Sequence, residues 1–172
     1  RGDGAMADYI TVKAASVYAL PEGLSYEAAA LVEPLAVATH AVRRADVKLG
    51  ETVLVIGAGA IGLLVAALCN RSGAAAVVVT DYAAFRLEMA KQLGATHTVS
   101  PREGDDLEKT VLALTGGKGV DKAFECVGRE DTFVQAMSLI RKQGLATVVG
   151  IFEQTQITIP VMRIVNREIR IQ

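Results

Sequence analysis

The sequence predicts an α/β protein built on a doubly wound parallel sheet, and three observations carry that expectation. Short strand-like runs recur at Thr52–Ile56, Ala76–Thr80, 122–126 and 145–149, the first two of them apolar and rich in β-branched residues. Segments of helical period, about ten to fifteen residues long, separate them, so successive strands should lie parallel with helices on both faces. Three glycines, Gly57, Gly59 and Gly62, stand at the junction of the first run with the first long helical pattern.

Taken in order, the chain before Thr52 follows a different pattern. Tyr9-Ile10-Thr11-Val12 and Val17-Tyr18-Ala19-Leu20 read as short strands, and Leu20-Pro21-Glu22-Gly23 as a turn. Ser25 is placed to cap a short helix ending near Leu31. Pro34 suits the first turn of a helix over 35–44. The two strands have no partners in the alternating pattern that follows, so residues 1–34 read as the tail of another domain and 35–172 as the main one.

From Thr52 onward strand and helix alternate. The run ending at Thr80 leads into a helix over 83–93 with Leu87, Met89, Ala90 and Leu93 on its apolar side. A short strand at His97–Val99, Pro101 and a helix over 106–114 follow. Gly116-Gly117-Lys118-Gly119 makes a loop before the strand 122–126, a helix over 131–140 and the strand 145–149.

The stretch Gly57-Ala58-Gly59-Ala60-Ile61-Gly62 between strand and helix, with Asp81 nineteen positions beyond Gly62, has the spacing of a dinucleotide-binding Rossmann loop. Gly57 permits the tight turn, Gly59 lets the backbone approach a pyrophosphate, and Gly62 allows close packing of the helix. The helix N-terminus then offers unpaired N–H groups and a positive dipole end to the phosphates. The Lys and Ser/Thr of a P-loop are missing, which disfavours an NTPase. Asp81 can accept from both adenosine ribose hydroxyls and would repel a 2′-phosphate, so NAD is expected over NADP. The same carboxylate could cap the helix that follows, and the two roles are compatible.

Composition sets the outer bounds. The chain has 172 residues, 51% hydrophobic and 22% charged, with a formal net charge of −1. That balance gives no electrostatic case for nucleic acid or an anionic membrane. Each apolar run is interrupted before it reaches the length of a membrane span. Cys69 and Cys126 fit no metal motif and suggest a reducing, cytoplasmic setting. His40 and His97 are far apart and complete neither a zinc site nor a catalytic triad. The start, Arg1-Gly2-Asp3-Gly4, suggests a fragment or a processed chain.

Leu20-Pro21-Glu22-Gly23-Leu24-Ser25, the stretch from Ala29 through Glu33-Pro34-Leu35 to Val42, and Leu49-Gly50-Glu51 leading into the glycine loop share an order with one known family. So do Asp81 with Arg86, Glu125-Cys126-Val127-Gly128, Val148-Val149-Gly150 and Asn166-Arg167-Glu168-Ile169-Arg170-Ile171. Across nearly its whole length the chain resembles the medium-chain dehydrogenase/reductase superfamily, and Glu33-Pro34-Leu35 resembles its zinc-dependent sorbitol (L-iditol) and threonine dehydrogenase branch.

The resemblance implies a Rossmann domain over 35–172 that stops at the start of its last strand. Residues 1–34 would be a remnant of a GroES-like catalytic domain. It implies NAD as cofactor, with Val37, Gly57, Ala58, Gly59, Ala60, Ile61, Gly62, Asp81, Arg86, Cys126, Val127, Val149, Gly150 and Ile151 around it. Within that set, Val37 and Ile61 pack on the nicotinamide ring, Cys126 and Val127 lie on the adenosine side, and Val149, Gly150 and Ile151 meet the carboxamide.

The resemblance further gives Glu33 a place at a catalytic zinc in the intact enzyme. The remaining ligands are missing here, so no bound zinc and no turnover are expected. Thr155-Gln156-Ile157-Thr158-Ile159-Pro160 would be an edge strand joining a homodimer. The substrate would be a small alcohol or polyol. Two alternatives stay open: a non-catalytic NAD-binding sensor or interaction module, and a zinc-free, NADPH-using quinone reductase. The former should show a basic DNA-binding element, and the latter conflicts with Asp81 and Glu33.

Overall fold

The protein is described over residues 4–172 by a computed structural model. It divides after Val32 into two compact units.

The first unit holds a single 3-10 turn, Ala14–Ser16, and a four-residue helix α1, Tyr26–Ala29, neither with a buried residue. Ser25 caps α1 as expected, its hydroxyl accepting the Ala28 N–H at 3.2 Å. The expected strands at 9–12 and 17–20 do not form. A strand needs a neighbour's N–H and C=O groups to complete its ladder. Among the described residues none runs alongside, and Tyr9, Ile10, Val12, Val17, Tyr18 and Leu20 stay exposed.

The second unit is a six-stranded, wholly parallel sheet in the order β3-β2-β1-β4-β5-β6. Helix α2, Val32–Ala45, precedes it and starts earlier than the expected 35–44, because proline is tolerated within a first turn. Strand β1, Thr52–Ile56, is followed by α3, Ala60–Arg71, and β2, Ala76–Thr80, by α4, Ala84–Gln92. Strand β3, His97–Val99, leads through a 3-10 turn at Pro101–Glu103 into α5, Leu107–Leu114. Asp106 caps α5, its carboxylate accepting the Lys109 N–H at 3.0 Å. Strand β4, Val120–Glu125, α6, Glu130–Ser138, and β5, Ile140–Val148, come next, then α7, Val161–Arg167, and β6, Arg170–Ile171.

Alternation along the strands divides the interior into two cores. Val53 and Val55 of β1 join Val77, Val79 and Phe124 beneath α2, α3 and α4. Leu54 and Ile56 point the other way, joining Val78, Val99 and Ala123 beneath α5 and α6. Both faces of β1 are therefore fully buried, and each such aliphatic side chain stabilises the sheet by about 1.5–3 kcal/mol.

Three expectations near the end of the chain are corrected. The helix expected over 131–140 stops at Ser138, and Ile140 already pairs with Val120 as the start of β5. Between that pair and Lys122↔Leu145 the register shifts, with Gln143 in the left-handed region at φ 62°. An irregular strand of this kind leaves a short apolar run, 145–149, as its only visible signature. Helix α7 was not foreseen. The segment Thr155–Pro160 is not a strand of this sheet: Ile157 and Ile159 pack on the second core, and the Thr158 N–H donates to the Glu130 carboxylate at 2.9 Å.

Candidate functional site

In this strand order the chain runs outward one way through β1, β2 and β3 and the other way through β4, β5 and β6. The loops after β1 and β4 therefore diverge and leave a crevice at the carboxyl ends of the strands, where ligands of such sheets bind. Beyond the ends of β4 and β5 lies an open cleft of roughly 890 Å³, lined by residues including Val127, Gly128, Arg129, Asp131, Ile151 and Gln154.

The glycine loop follows β1 and packs against Val127, one of the residues lining that cleft. Gly57 has φ +95°, a left-handed conformation that a side chain resists, and a Cβ there would also lie 2.7 Å from Val127 Cγ2. A Cβ on Gly62 would overlap the Gly57 carbonyl oxygen. Gly59 differs: it caps α3, and a Cβ on it would meet nothing within 4 Å. The first return bond of α3 runs from the Leu63 N–H to the Gly59 carbonyl at 2.9 Å, so the N–H groups of Ala60, Ile61 and Gly62 precede the helical ladder. Open space thus lies in front of unpaired donors, an arrangement a pyrophosphate fits.

Asp81, just past β2, locks the loop. Its Oδ2 accepts the Ala58 N–H at 2.8 Å and its Oδ1 the Ala83 N–H at 2.8 Å, with Arg86 Nη1 3.7 Å from Oδ2. The helix cap expected of Asp81 does not form, since α4 has Ala83 at its N-cap and no side-chain cap; Asp81 instead accepts the Ala83 N–H in the turn before the helix and the Ala58 N–H of the glycine loop, a bond the sequence did not announce. The Asp81 side chain is 11% exposed, and Arg86, about half exposed, lies with its guanidinium 5.6 Å over the Phe85 ring.

Several other predicted residues gather at the same strand ends. Cys126 and Val127 follow β4, and a Gly57 Cβ would touch both. Gly150 and Ile151 follow β5 and back onto Gly128. Val149 and Ile61 are partly buried against the first core. Val37 is 37% exposed on α2. Glu33 is exposed in the first turn of α2, where, among the described residues, its carboxylate takes part in no hydrogen bond or ion pair. No three His, Cys, Asp or Glu side chains among the described residues come together to hold a metal ion. The side chains present do not fit zinc.

Both cysteines are free thiols. Burial pushes Cys69 up to about 12, with Glu51 adding to it, and burial raises Cys126 strongly, with Glu125 and Cys69 contributing. Neither is a nucleophile at neutral pH. Glu125 is the site residue that sequence reasoning passed over. Its signal was a lone charge closing the apolar run Ala123-Phe124, and the structure buries it to 1% exposure at the end of β4.

A parallel sheet with a glycine loop at its switch point defines a Rossmann-like α/β domain. The chain belongs to the zinc-binding dehydrogenase family, whose model matches residues 60–172. It is 38% identical over 98% of its length to the sorbitol dehydrogenase of Bacillus subtilis (strain 168), and 36% identical over 99% to the D-xylulose reductase of Saccharomyces cerevisiae. In each case it covers 48% of the relative, so the chain spans about half the length of the curated relatives it matches. Among solved structures, 2R,3R-butanediol dehydrogenase from Bacillus subtilis superposes with a TM-score of 0.80 and 37% identity, over 89% of this chain and 43% of that one. A structure from Sinorhizobium meliloti 1021 solved bound to NADP gives a TM-score of 0.75 and 32% identity, over 80% of this chain and 41% of that one. The resemblance to the sorbitol dehydrogenase branch is borne out by these relatives.

Proposed function

We propose that this chain is the NAD-binding part of an alcohol or polyol dehydrogenase, residues 35–172 holding the cofactor and 1–34 belonging to the catalytic domain. The observation that carries the reading is the pair of bonds from Asp81 to Ala58 and Ala83, which holds the glycine loop open in front of the α3 N-terminus. The unpaired N–H groups of Ala60, Ile61 and Gly62 take the pyrophosphate. Asp81 keeps acceptor capacity for the adenosine ribose, since each carboxylate oxygen accepts more than one bond. Arg86 sits beside that ribose, and Cys126 and Val127 bound its side of the crevice. Val149, Gly150 and Ile151 receive the carboxamide end, and Val37 and Ile61 pack on the ring. When bound, the nicotinamide supplies the hydride acceptor or donor.

The substrate class, a small alcohol or polyol, is supported by the likeness to sorbitol dehydrogenase, D-xylulose reductase and 2R,3R-butanediol dehydrogenase. Glu33 is assigned to the zinc region of the whole enzyme, and this chain alone is expected to be inactive. Thr155 to Pro160 forms part of the contact of a homodimer, supported by the exposure of Val161, Met162 and Val165 beside it. The two free thiols support a reducing, cytoplasmic setting.

Calorimetric titration of the chain with NAD+, run beside a polyol-dependent NADH assay, tests this reading. Saturable binding without turnover is expected. Failure to bind NAD+ contradicts the proposal, and polyol oxidation by the chain alone contradicts its assignment as an inactive part. Light scattering at high concentration tests the dimer, which a strictly monomeric mass rules out.

A further inference from the structure

Glu125 ends β4 with its side chain sealed from solvent. Three donors converge on one of its oxygens: Oε1 lies 2.9 Å from the Val127 nitrogen, 2.8 Å from the Gly128 nitrogen and 2.8 Å from Thr132 Oγ1. This donor set suits an acceptor-only carboxylate. The other oxygen, Oε2, is buried with no hydrogen-bond partner. Among the described residues no lysine, arginine or histidine is ion-paired with the group.

A Cβ on Gly150 would lie 2.7 Å from Oε2, so this oxygen packs against the backbone of Gly150, whose neighbour Ile151 lines the cleft. The Glu125 carbonyl meanwhile accepts the Val149 and Gly150 N–H groups at 2.8 and 2.9 Å, fixing the end of β5 against the end of β4. Packing alone does not call for a charge here, because replacing buried ionic groups by apolar ones is often neutral or stabilising.

We propose that Glu125 is a specificity-determining residue that favours the oxidised over the reduced nicotinamide cofactor. The inference rests on the cofactor reading above, which puts the nicotinamide beside Val149, Gly150 and Ile151. The ring of NAD+ carries a positive charge and the ring of NADH carries none. A buried, cation-free carboxylate behind Gly150 attracts the former and is indifferent to the latter. At the effective dielectric of a protein site, a unit charge about 10 Å away changes affinity by roughly three- to tenfold once neighbouring donors have screened it. Glu125 touches no reacting atom; it works through the field it sets across the Gly150 backbone.

The test is the ratio of NAD+ to NADH dissociation constants, measured calorimetrically on the wild-type chain and on E125Q, E125M and T132V. Both Glu125 variants remove the charge, one by a near-isosteric amide and one by an apolar chain of similar length. In whichever of them folds, NAD+ is expected to weaken about three- to tenfold relative to NADH. T132V keeps the charge while removing one donor, and its ratio is expected to match wild type. A role confined to holding the Val127-Gly128 turn weakens both redox forms alike, so an unchanged ratio in the folded neutral variants overturns the proposal. Loss of folding in both neutral variants makes Glu125 a structural residue only and overturns it as well. If the wild-type chain binds neither NAD+ nor NADH, the cofactor reading itself fails and this inference falls with it.

Discussion

The two ends of the sheet treat their acids differently. Toward the amino ends, acids meet cations: Lys122 Nζ lies 3.6 Å from Glu51 Oε1, and Arg141 Nε donates to Asp121 Oδ1 at 2.6 Å. Asp121 also accepts the Thr52 N–H at 2.7 Å, tying β4 to β1. At the carboxyl ends, Glu125 meets only backbone N–H groups and a hydroxyl, whereas Asp81 has backbone N–H groups and the Arg86 guanidinium at 3.7 Å, and Asp131 on the cleft wall pairs with Arg129. Among these acids only Glu125 has no cation partner. A buried carboxylate without a cation, close to a cleft and to unpaired helix donors, is equipment for a ligand.

The largest effect expected from breaking this comparison is at the amino end. K122M leaves Glu51, whose side chain is 15% exposed, without its cation, and losing one partner of such a pair costs about 3–5 kcal/mol. Urea denaturation should report that loss while NAD+ affinity of the folded protein stays unchanged. A large change in affinity would show that the two ends are not separable.

D81N is the counterpart at the carboxyl end. Charge-assisted bonds are worth about 1.5–3 kcal/mol, so NAD+ should bind the folded protein roughly ten- to a hundredfold more weakly. Retained NAD+ affinity in D81N would remove the ribose role from Asp81 and leave it as a clamp between the glycine loop and α4.

A smaller effect involves the thiols. The Cys69 thiol has an ordinary value of 9.0 and is pushed to about 12 by burial. A group whose folded value is raised contributes stability that is full below its unfolded value and is lost as pH rises toward the folded one. Denaturant midpoints should therefore fall between about pH 9 and 12, and C69A should fall less steeply. Thiol titration at pH 8 should count no reactive cysteine in the native protein and two after unfolding; two reactive native thiols would contradict the burial argument.

Legibility in the sequence followed local pattern. Thr52–Ile56 and Ala76–Thr80 were readable because both faces are buried, and a continuous β-branched run records that directly. The glycine loop was readable because each glycine answers a steric demand within a few residues of itself. Tyr9-Ile10-Thr11-Val12 carries a similar apolar signal yet forms no strand, since pairing is decided by what lies alongside and not by the segment. The register shift in β5 and the helix α7 left no periodic trace long enough to read. Glu125 was visible as a residue but not as a site, because its meaning comes from Val127, Gly128, Thr132 and Gly150 converging on it. The double engagement of Asp81 was not legible as such: the bond from the Ala83 N–H is a local turn in place of the expected cap, and the bond from the Ala58 N–H joins the β1–α3 loop to the end of β2.

The account rests on Asp81 making the carboxyl end of the sheet an NAD site. Calorimetric titration of the wild-type chain with NAD+ and NADP+ in the same buffer tests it most directly. NAD+ is expected to bind at least about tenfold more tightly, because a 2′-phosphate would face the Asp81 carboxylate. Equal or tighter binding of NADP+, as its presence in the Sinorhizobium meliloti relative would allow, would contradict the account.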